Sequence, residues 1–303
     1  MRALVMGAGS IGSLFAALLS KAGWRVAIVA RRPHVEAVRA GGLRVESGAL
    51  GCFTAEVEAH EAVDSVEGCF DLALITVKAY DTKQASLQVR PVVRRGAVPL
   101  CLQNGLGVED EASQALGVKA FRAVTSNGAM LVEPGLVEHT GVGETLVGGD
   151  HQVLDAMAEA LRALGLPARR VEDVEGAVWM KTLVNAGINP LGAITGLRNG
   201  ELLTVGWLRE LMRRVVEEGC RVALEKGVEL EGDPVEEAFK VAKATAGNKN
   251  SMLQDLERGR RTEVDYINGA IAREARALGM EAPLNEALTA LVKAMEAGGF
   301  WRR

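Results

Sequence analysis

The chain has 303 residues and a formal net charge of -4 at pH 7. Single hydrophobic cores stop growing at about 250–300 residues, so two domains are expected. The negative balance and the scattered Lys and Arg residues argue against nucleic acid as a partner. No run approaches the ~20 apolar residues of a membrane span, and the N-terminal stretch lacks a signal-peptide pattern. We therefore expect a soluble cytoplasmic protein that binds neither nucleic acid nor membrane.

The spacing of cysteine and histidine argues against a metal site. The four cysteines lie far apart without a C-x-x-C pair, and the four histidines include no H-x-x-x-H pair. Zinc sites and disulfide frameworks usually show such regular spacings. We therefore expect no metal, and the cysteine usage is typical of a reducing compartment.

The first twelve residues carry the clearest local signal. Residues 1–6 form an apolar run typical of a buried strand, and Gly7, Gly9 and Gly12 follow with the spacing G-x-G-x-x-G. The first glycine of such a motif permits a sharp turn, the second lets a pyrophosphate approach the backbone, and the third lets the helix pack closely on the sheet. The helix predicted over residues 13–21 would present N–H groups to the phosphates. The motif predicts a dinucleotide site; the alternative is a tight turn that binds nothing.

The end of the second predicted strand, residues 25–30, indicates which dinucleotide binds. Sites selective for NAD place an Asp or Glu about 20 residues beyond the glycine motif, where it binds the ribose 2′-hydroxyl. This chain has Arg31 and Arg32 at that place. A guanidinium pairs with a 2′-phosphate, whereas a carboxylate repels it, so the predicted cofactor is NADP(H). The alternative is a pair of solvated arginines before a helix that starts at Pro33.

Two later strands are predicted to end near the same loop. Residues 71–78 form a mostly apolar run ending in Lys78, and another apolar run ends at Gln103 and Asn104. Ligands of open α/β sheets bind beyond the carboxyl ends of the strands, so these three side chains are expected to border the dinucleotide site. A solvated lysine and a plain Asn-Gly turn are the alternatives.

Helical periods replace strand patterns in the second half of the chain. Alternating patterns between residues 120 and 147 predict a small antiparallel extension, and residues 168–171 form the last predicted strand. From Asp173 onward helical periods dominate. We therefore predict an α/β protein in which residues 1–170 form an NADP-binding Rossmann domain and residues 171–303 form an all-helical substrate and catalytic domain.

The helix predicted over residues 175–189 carries an unusual polar face. Lys181, Asn185 and Asn189 occupy positions i, i+4 and i+8, which lie within an arc of ~80°. Their neighbours are mostly apolar, so this face is predicted to be buried rather than solvated. A buried lysine is costly without partners, which makes Lys181 a candidate for chemistry. Pro190 is expected to end or kink the helix after Asn189.

Three further polar residues have ordinary structural interpretations. Asn199 lies in an Arg-Asn-Gly sequence typical of a turn between helices. Ser251 and Gln254 have the spacing of a capping box, and the same helix start would also favour a substrate carboxylate. Glu263 falls in the first turn of the next predicted helix, where a carboxylate favours the helix dipole.

Several of these segments together resemble the ketopantoate reductase family over nearly the whole chain. They are the glycine motif with Arg31, Thr76-Val77-Lys78, Gln103-Asn104-Gly105, Lys181-x-x-x-Asn185-x-x-x-Asn189-Pro190, residues 251–255 and residues 261–269. The resemblance implies a Rossmann domain followed by an all-helical domain. It also implies reduction of 2-dehydropantoate to (R)-pantoate with NADPH, on the route to pantothenate and coenzyme A.

The resemblance also implies a role for individual residues. Lys181 matches the catalytic lysine, whose ammonium binds the ketone oxygen and supplies the proton. The residues that match substrate-binding positions are Asn104, Lys181, Asn185, Asn189, Asn199 and Ser251. The residues that match cofactor-binding positions are Gly7, Ala8, Gly9, Ser10, Ile11, Gly12, Arg31, Lys78, Asn104, Ala129 and Glu263.

Two other functions stay open from the sequence. A reductase of the same architecture could act on another branched 2-oxo acid, and a regulatory protein could sense NADP without catalysis. A sensing protein would have no need of Lys181 among its asparagines. A homodimer through the helical domain rests on the resemblance alone.

Overall fold

The computed structural model describes residues 1–298, which form two compact units. Unit 1 comprises Met1–Gln103 and Val108–Val174, and unit 2 comprises Asn104–Gly107 and the chain from Glu175 onward. Residues 299–303 of the predicted helical domain lie outside the described residues.

Unit 1 combines two β-sheets with helices. Its strands are β1 (Arg2–Met6), β2 (Arg25–Val29), β3 (Leu43–Ser47), β4 (Phe53–Ala55), β5 (Glu58–His60), β6 (Leu72–Ile75), β7 (Val98–Cys101), β8 (Phe121–Thr125), β9 (Gly128–Glu133), β10 (Leu136–Gly141), β11 (Thr145–Gly148) and β12 (Ala168–Val171). Its helices are α1 (Ser10–Lys21), α2 (Arg32–Gly41), α3 (Thr82–Val93), α4 (Val108–Leu116) and α5 (Gln152–Ala163).

The main sheet places β1 at the point where the strand order changes direction. Its order is β12-β11-β8-β7-β6-β1-β2-β5, and β1 pairs in parallel with both β2 and β6. The interiors of β1 and β6 are fully buried, as expected for central parallel strands with continuous apolar sequence. The carboxyl end of β1 therefore opens at a topological switch point, where α/β sheets bind ligands.

A second sheet of four strands, in the order β4-β3-β10-β9, completes unit 1. The sequence predicted one antiparallel extension between residues 120 and 147, and the structure divides that region between two sheets. Strands β8 and β11 join the main sheet, whereas β9 and β10 join the second. β8 is buried along nearly its whole length and β9 is only half-buried, so the two strands occupy different environments.

Unit 2 is helical in its described residues from Glu175 onward. Its helices are α6 (Glu175–Thr195), α7 (Asn199–Thr204), α8 (Gly206–Glu225), α9 (Pro234–Ala244), α10 (Ser251–Glu257), α11 (Asn268–Ala277) and α12 (Pro283–Gly298), with a 3-10 turn at Val264–Tyr266. The fold confirms the predicted class, a Rossmann-like α/β unit and a helical C-terminal unit.

Two helix boundaries in unit 2 differ from those expected. Helix α6 does not end after Asn189 but continues through Pro190 to Thr195. Glu263 does not lie in the first turn of an α-helix, because it precedes the 3-10 turn and α11 begins only at Asn268.

Candidate active site

The three glycines of the loop after β1 meet three different steric demands. A Cβ on Gly7, which has a φ of 99°, would lie 2.5 Å from Val77 Cγ1, so both the backbone and the space require glycine. A Cβ on Gly12 would collide with the carbonyl oxygen of Gly7 and lie 2.5 Å from Thr76 Oγ1. Gly9 has no protein atom within 4 Å of such a Cβ and is exposed. The open side of Gly9 is where the motif requires room for a pyrophosphate.

Some backbone N–H groups of this loop donate to other protein atoms, and others remain available to a ligand. Those of Gly7 and Ala8 both donate to the carbonyl oxygen of Val29, at 3.0 and 3.1 Å. The residues of the first turn of α1, Ser10, Ile11 and Gly12, have no intrahelical acceptor for their N–H groups. The available donors therefore stand at the N-terminus of a twelve-residue helix, where the partial positive charge favours phosphate.

Arg31 and Arg32 differ in what their guanidinium groups contact. Arg32 Nε donates to Glu36 Oε1 at 2.7 Å, one turn along α2, and this carboxylate raises the pKa of Arg32. Within residues 1–298 the exposed Arg31 side chain has no hydrogen bond or ion pair. Arg31 follows β2, whose last residue, Val29, binds the glycine loop. Its guanidinium is therefore available to a phosphate near that loop.

The glycine loop is also held by a relay through a buried histidine. The N–H of Gly135 donates to His34 Nδ1 at 3.1 Å, so the neutral ring carries its proton on Nε2. Nε2 donates to Ser13 Oγ at 3.2 Å, and that hydroxyl donates to the carbonyl oxygen of Ala8 at 3.2 Å. Burial lowers the pKa of His34, which agrees with a neutral ring. The relay fixes the peptide between Ala8 and Gly9.

The remaining cofactor positions predicted in unit 1 lie on elements that touch the glycine loop. Lys78 is half-buried and follows β6, where Thr76 Oγ1 donates to the carbonyl oxygen of Gly7 at 2.9 Å. Ala129 lies in β9, and the N–H of Leu131 in the same strand donates to Ser10 Oγ at 3.0 Å. The structure thus brings the predicted cofactor residues of unit 1 together around one loop.

A second histidine fixes the entry to β9. The Asn127 Oδ1 atom accepts from the N–H of Gly143 at 3.2 Å, so His139 Nε2 must donate to it, at 3.0 Å. Asn127 Nδ2 donates to the carbonyl oxygen of Gly143 at 2.8 Å. The other ring nitrogen of His139 accepts from Ser47 Oγ at 3.1 Å, and burial lowers the pKa of His139. This network holds the corner that precedes Ala129.

In unit 2, α6 carries the polar face that the sequence predicted. Lys181 and Asn185 are half-buried, and Asn189 is only 4% exposed. The side-chain amides of Asn185 and Asn189 form no hydrogen bond with any described residue. A buried amide without partners is costly, so these two amides are suited to a ligand that supplies hydroxyl or carboxylate groups.

Asn104 and Glu263 are brought into direct contact within unit 2. Asn104 Nδ2 donates to Glu263 Oε2 at 3.2 Å, and Glu263 is 5% exposed. The N–H of Leu106 donates to the carbonyl oxygen of Tyr266 at 2.9 Å, and Gly105 lies so close to Tyr266 that no Cβ would fit. The buried carboxylate therefore receives a donor from a loop far away in sequence, which the sequence pattern could not show.

The start of α10 corrects the prediction of a capping box at Ser251. Asn250 is the N-cap, and its Oδ1 accepts from the N–H of Leu253 at 3.0 Å. Ser251 is the first helical residue and is exposed. Asn250 Nδ2 is buried without a partner beside Gly192 of α6. Asn and Ser are both preferred N-cap residues, and the prediction placed the cap one residue too late.

Asn199 begins a helix instead of lying in a free turn. Its Nδ2 donates to Thr245 Oγ1 at 2.8 Å, and its N–H donates to the carbonyl oxygen of Asn248 at 3.0 Å. Its Oδ1 is buried without a partner. The structure therefore brings α7 next to the segment that leads to Ser251.

Among residues 1–298 no group of three or more His, Cys, Asp and Glu side chains could hold a metal ion. No helix in this part of the chain combines the length and apolar character needed to cross a membrane.

Two family profiles match the chain. The profile of ketopantoate reductase PanE/ApbA matches residues 3–151, and that of the ketopantoate reductase PanE/ApbA C terminal matches residues 173–296. The 2-dehydropantoate 2-reductase of Pyrococcus horikoshii is 39% identical over 304 aligned residues, which cover 99% of each chain.

Solved structures of similar proteins cover the same length. The crystal structure of a PanE/ApbA family ketopantoate reductase from Ralstonia eutropha JMP134 has a TM-score of 0.92 and 35% identity, covering 99% of this chain and 100% of that one. A ternary structure of D-mandelate dehydrogenase with NADH and anilino(oxo)acetate has a TM-score of 0.89 and 26% identity, covering 99% of each chain. The chain therefore has the same architecture as a ketopantoate reductase and a D-mandelate dehydrogenase.

Proposed function

The chain belongs to the ketopantoate reductase family, and on that premise we propose that it reduces 2-dehydropantoate to (R)-pantoate with NADPH. The observation that carries the proposal is the face of α6, where the unpartnered amides of Asn185 and Asn189 follow Lys181 at helical spacing. A 2-oxo acid with a hydroxyl group offers a ketone, a carboxylate and a hydroxyl, which match one cation and several amides.

The residues of unit 1 fit a nicotinamide dinucleotide with a 2′-phosphate. Gly9 leaves open space, the first turn of α1 has available N–H groups, and Arg31 has no partner within residues 1–298. The similar D-mandelate dehydrogenase was solved with NADH, so preference for NADP(H) rests on Arg31 and on the lack of a carboxylate in its place. When bound, NADPH supplies the hydride for the carbonyl carbon.

Lys181 acts as the general acid in this proposal. Its ammonium donates a hydrogen bond to the ketone oxygen and transfers a proton to it as negative charge develops there. The C=O bond becomes a C–O–H group, and Lys181 then regains a proton from water. Asn185, Asn189, Asn199 and Ser251 hold the hydroxyl and carboxylate of the substrate, so that the ketone faces Lys181.

The remaining predicted residues have supporting roles. In unit 2, Asn104 and Glu263, which contact each other, contribute to ligand binding, and in unit 1 Lys78 and the backbone at Ala129 contribute to cofactor binding. Buried Glu263 orients the Asn104 amide so that its oxygen is presented to a ligand. We place the enzyme in the cytoplasm as a homodimer through its helical unit; sedimentation of the purified protein tests the dimer.

Oxidation of NADPH across a panel of 2-oxo acids tests the proposed function. We expect the highest kcat/KM with ketopantoate, and a clear preference for another branched 2-oxo acid or for a mandelate precursor would replace the proposed substrate. NADPH binding without turnover of any acid would favour the sensing protein. Running the panel with NADH as well separates the choice of cofactor from the choice of substrate.

A further inference from the structure

Pro190 creates a defect in the middle of α6. The helix runs from Glu175 to Thr195 through this proline, which has no N–H to donate to the carbonyl oxygen of Ala186, four residues earlier. Ala186 is fully buried, so water does not reach the site freely. A buried carbonyl without a donor is destabilising and normally bends or interrupts a helix.

A side chain from α11 supplies the missing donor. Asn268 Nδ2 lies 3.1 Å from the carbonyl oxygen of Ala186 and 2.9 Å from Asn285 Oδ1. The Asn268 side chain is fully buried, and its own Oδ1 has no partner. The amide is therefore used entirely as a double donor, with one N–H directed at α6.

The second acceptor of Asn268 is itself fixed by a buried carboxylate. Asn285 Nδ2 donates to Glu218 Oε1 at 2.9 Å, and Glu218 also accepts from the N–H groups of Leu284 and Asn285 at the start of α12. Glu218 is 3% exposed. The Asn268 amide is thus oriented by a network that links α6, α8, α11 and α12.

The turn of α6 whose carbonyl accepts from Asn268 connects two of the proposed substrate-binding residues. Asn185 precedes Ala186, and Asn189 precedes Pro190, so the carbonyl bound by Asn268 lies in the turn between the two amides. If that carbonyl lost its donor, the turn would tilt and change the relative direction of Asn185 and Asn189. We infer that Asn268 is a positioning residue that replaces the N–H missing at Pro190 and thereby aligns Asn185 with Asn189 for the substrate. This inference rests on the proposed function.

The proline offers a rescue experiment. Asn268→Ala removes the donor, and we expect it to raise the KM for ketopantoate roughly tenfold, the effect of about one hydrogen bond, without changing the Kd for NADPH. Pro190→Ala restores a backbone N–H that reaches the Ala186 carbonyl by the ordinary helical bond. The KM of the double variant should therefore return most of the way to the wild-type value. The single variant Pro190→Ala should have a KM similar to that of the wild type.

Asn285→Ala serves as the matched control. It removes the second acceptor of the Asn268 amide but keeps the Nδ2 group that donates to Ala186, so KM should rise less than in Asn268→Ala, and Pro190→Ala should not rescue its loss of stability. If Asn268→Ala does not fold, Pro190→Ala is compared with the double variant, and equal KM values support the inference. Two outcomes overturn the inference. In one, Asn268→Ala raises KM by the same factor with and without Pro190→Ala. In the other, Asn268→Ala lowers the melting temperature while KM stays constant. Absence of ketopantoate turnover by the wild-type enzyme would instead contradict the proposed function.

Discussion

The two units prepare for their ligands by different physical means. Unit 1 relies on backbone geometry: glycines that clear space, N–H groups at a helix start, and the buried His34 relay that holds the loop. Unit 2 relies on side chains spaced along α6, whose alignment depends on the buried amide of Asn268. Backbone demands leave a local signature in sequence, whereas a side-chain network joins positions that are far apart in the chain.

The largest expected effect lies in unit 2. Lys181→Ala removes the proposed acid, and turnover of ketopantoate should fall by about 10²–10⁴-fold because the developing alkoxide loses its proton donor. Binding of NADPH, followed by fluorescence titration, should persist because unit 1 is unchanged. Turnover within a few-fold of the wild type would show that another group supplies the proton.

The next largest effect is expected from replacing Arg31 in unit 1. Arg31→Ala should weaken NADPH by roughly 10–100-fold, the range expected for charge-assisted hydrogen bonds, and should leave NADH almost unaffected. Arg32→Ala is the matched control, because Arg32 is already paired with Glu36 and is 73% exposed. Equal losses for both cofactors, or a larger loss from Arg32→Ala, would contradict recognition of a 2′-phosphate by Arg31.

Variants of Gly9 and Gly12 distinguish a glycine needed for cofactor binding from one needed for packing of the fold. Gly9→Ala places a methyl where no protein atom lies within 4 Å, so the fold should keep its stability while NADPH weakens by about tenfold or more. Gly12→Ala forces a clash with the Gly7 carbonyl and should lower the free energy of unfolding by about 1–3 kcal/mol. Thermal unfolding and NADPH titration of both variants check this, and similar stabilities would refute the assignment.

Most of the fold could be predicted because its signals are local. The apolar runs of β1 and β6, the G-x-G-x-x-G spacing and the helical period of α9 each lie within a few turns of chain. The three-residue strand β5 was missed because it is too short for a period to appear. The continuation of α6 beyond Pro190 was not predicted because Asn268, which donates to the Ala186 carbonyl, lies 82 residues beyond Ala186.

The candidate site divides in the same way. Lys181, Asn185 and Asn189 could be found because one helix sets their spacing. The contact of Asn104 with Glu263 could not, because it spans 159 residues. The capping role of Asn250 was assigned to Ser251, one position away, since both residue types cap helices well.

The smallest effect concerns the histidines that support unit 1. Burial lowers the pKa of His34, His60 and His139 relative to the unfolded value of about 6.5. The unfolded chain therefore binds more protons than the folded one below that pH. This contribution to stability is complete above about pH 6.5 and is lost as the pH falls through the lower folded-state pKa values. The pKa of Asp265 is also lowered, by hydrogen bonds from Lys293 and Arg261, from its usual value of 3.8. Its titration therefore affects stability only at a pH below that of the histidines.

We therefore expect the free energy of unfolding of the wild type to decrease between pH 7 and about pH 5, by at most about 1.4 kcal/mol per pH unit for each histidine. His34→Gln removes one titrating ring and should flatten this dependence, and it should also weaken NADPH because the Ala8 peptide loses its relay. His60→Gln is the matched control, since His60, the last residue of β5, makes a comparable bond of 3.0 Å to Ser65 and its side chain does not contact the loop. Denaturant titrations at several pH values test the slope. If both variants weakened NADPH equally, the relay would be supporting only the fold of unit 1, and backbone geometry alone would set its cofactor affinity.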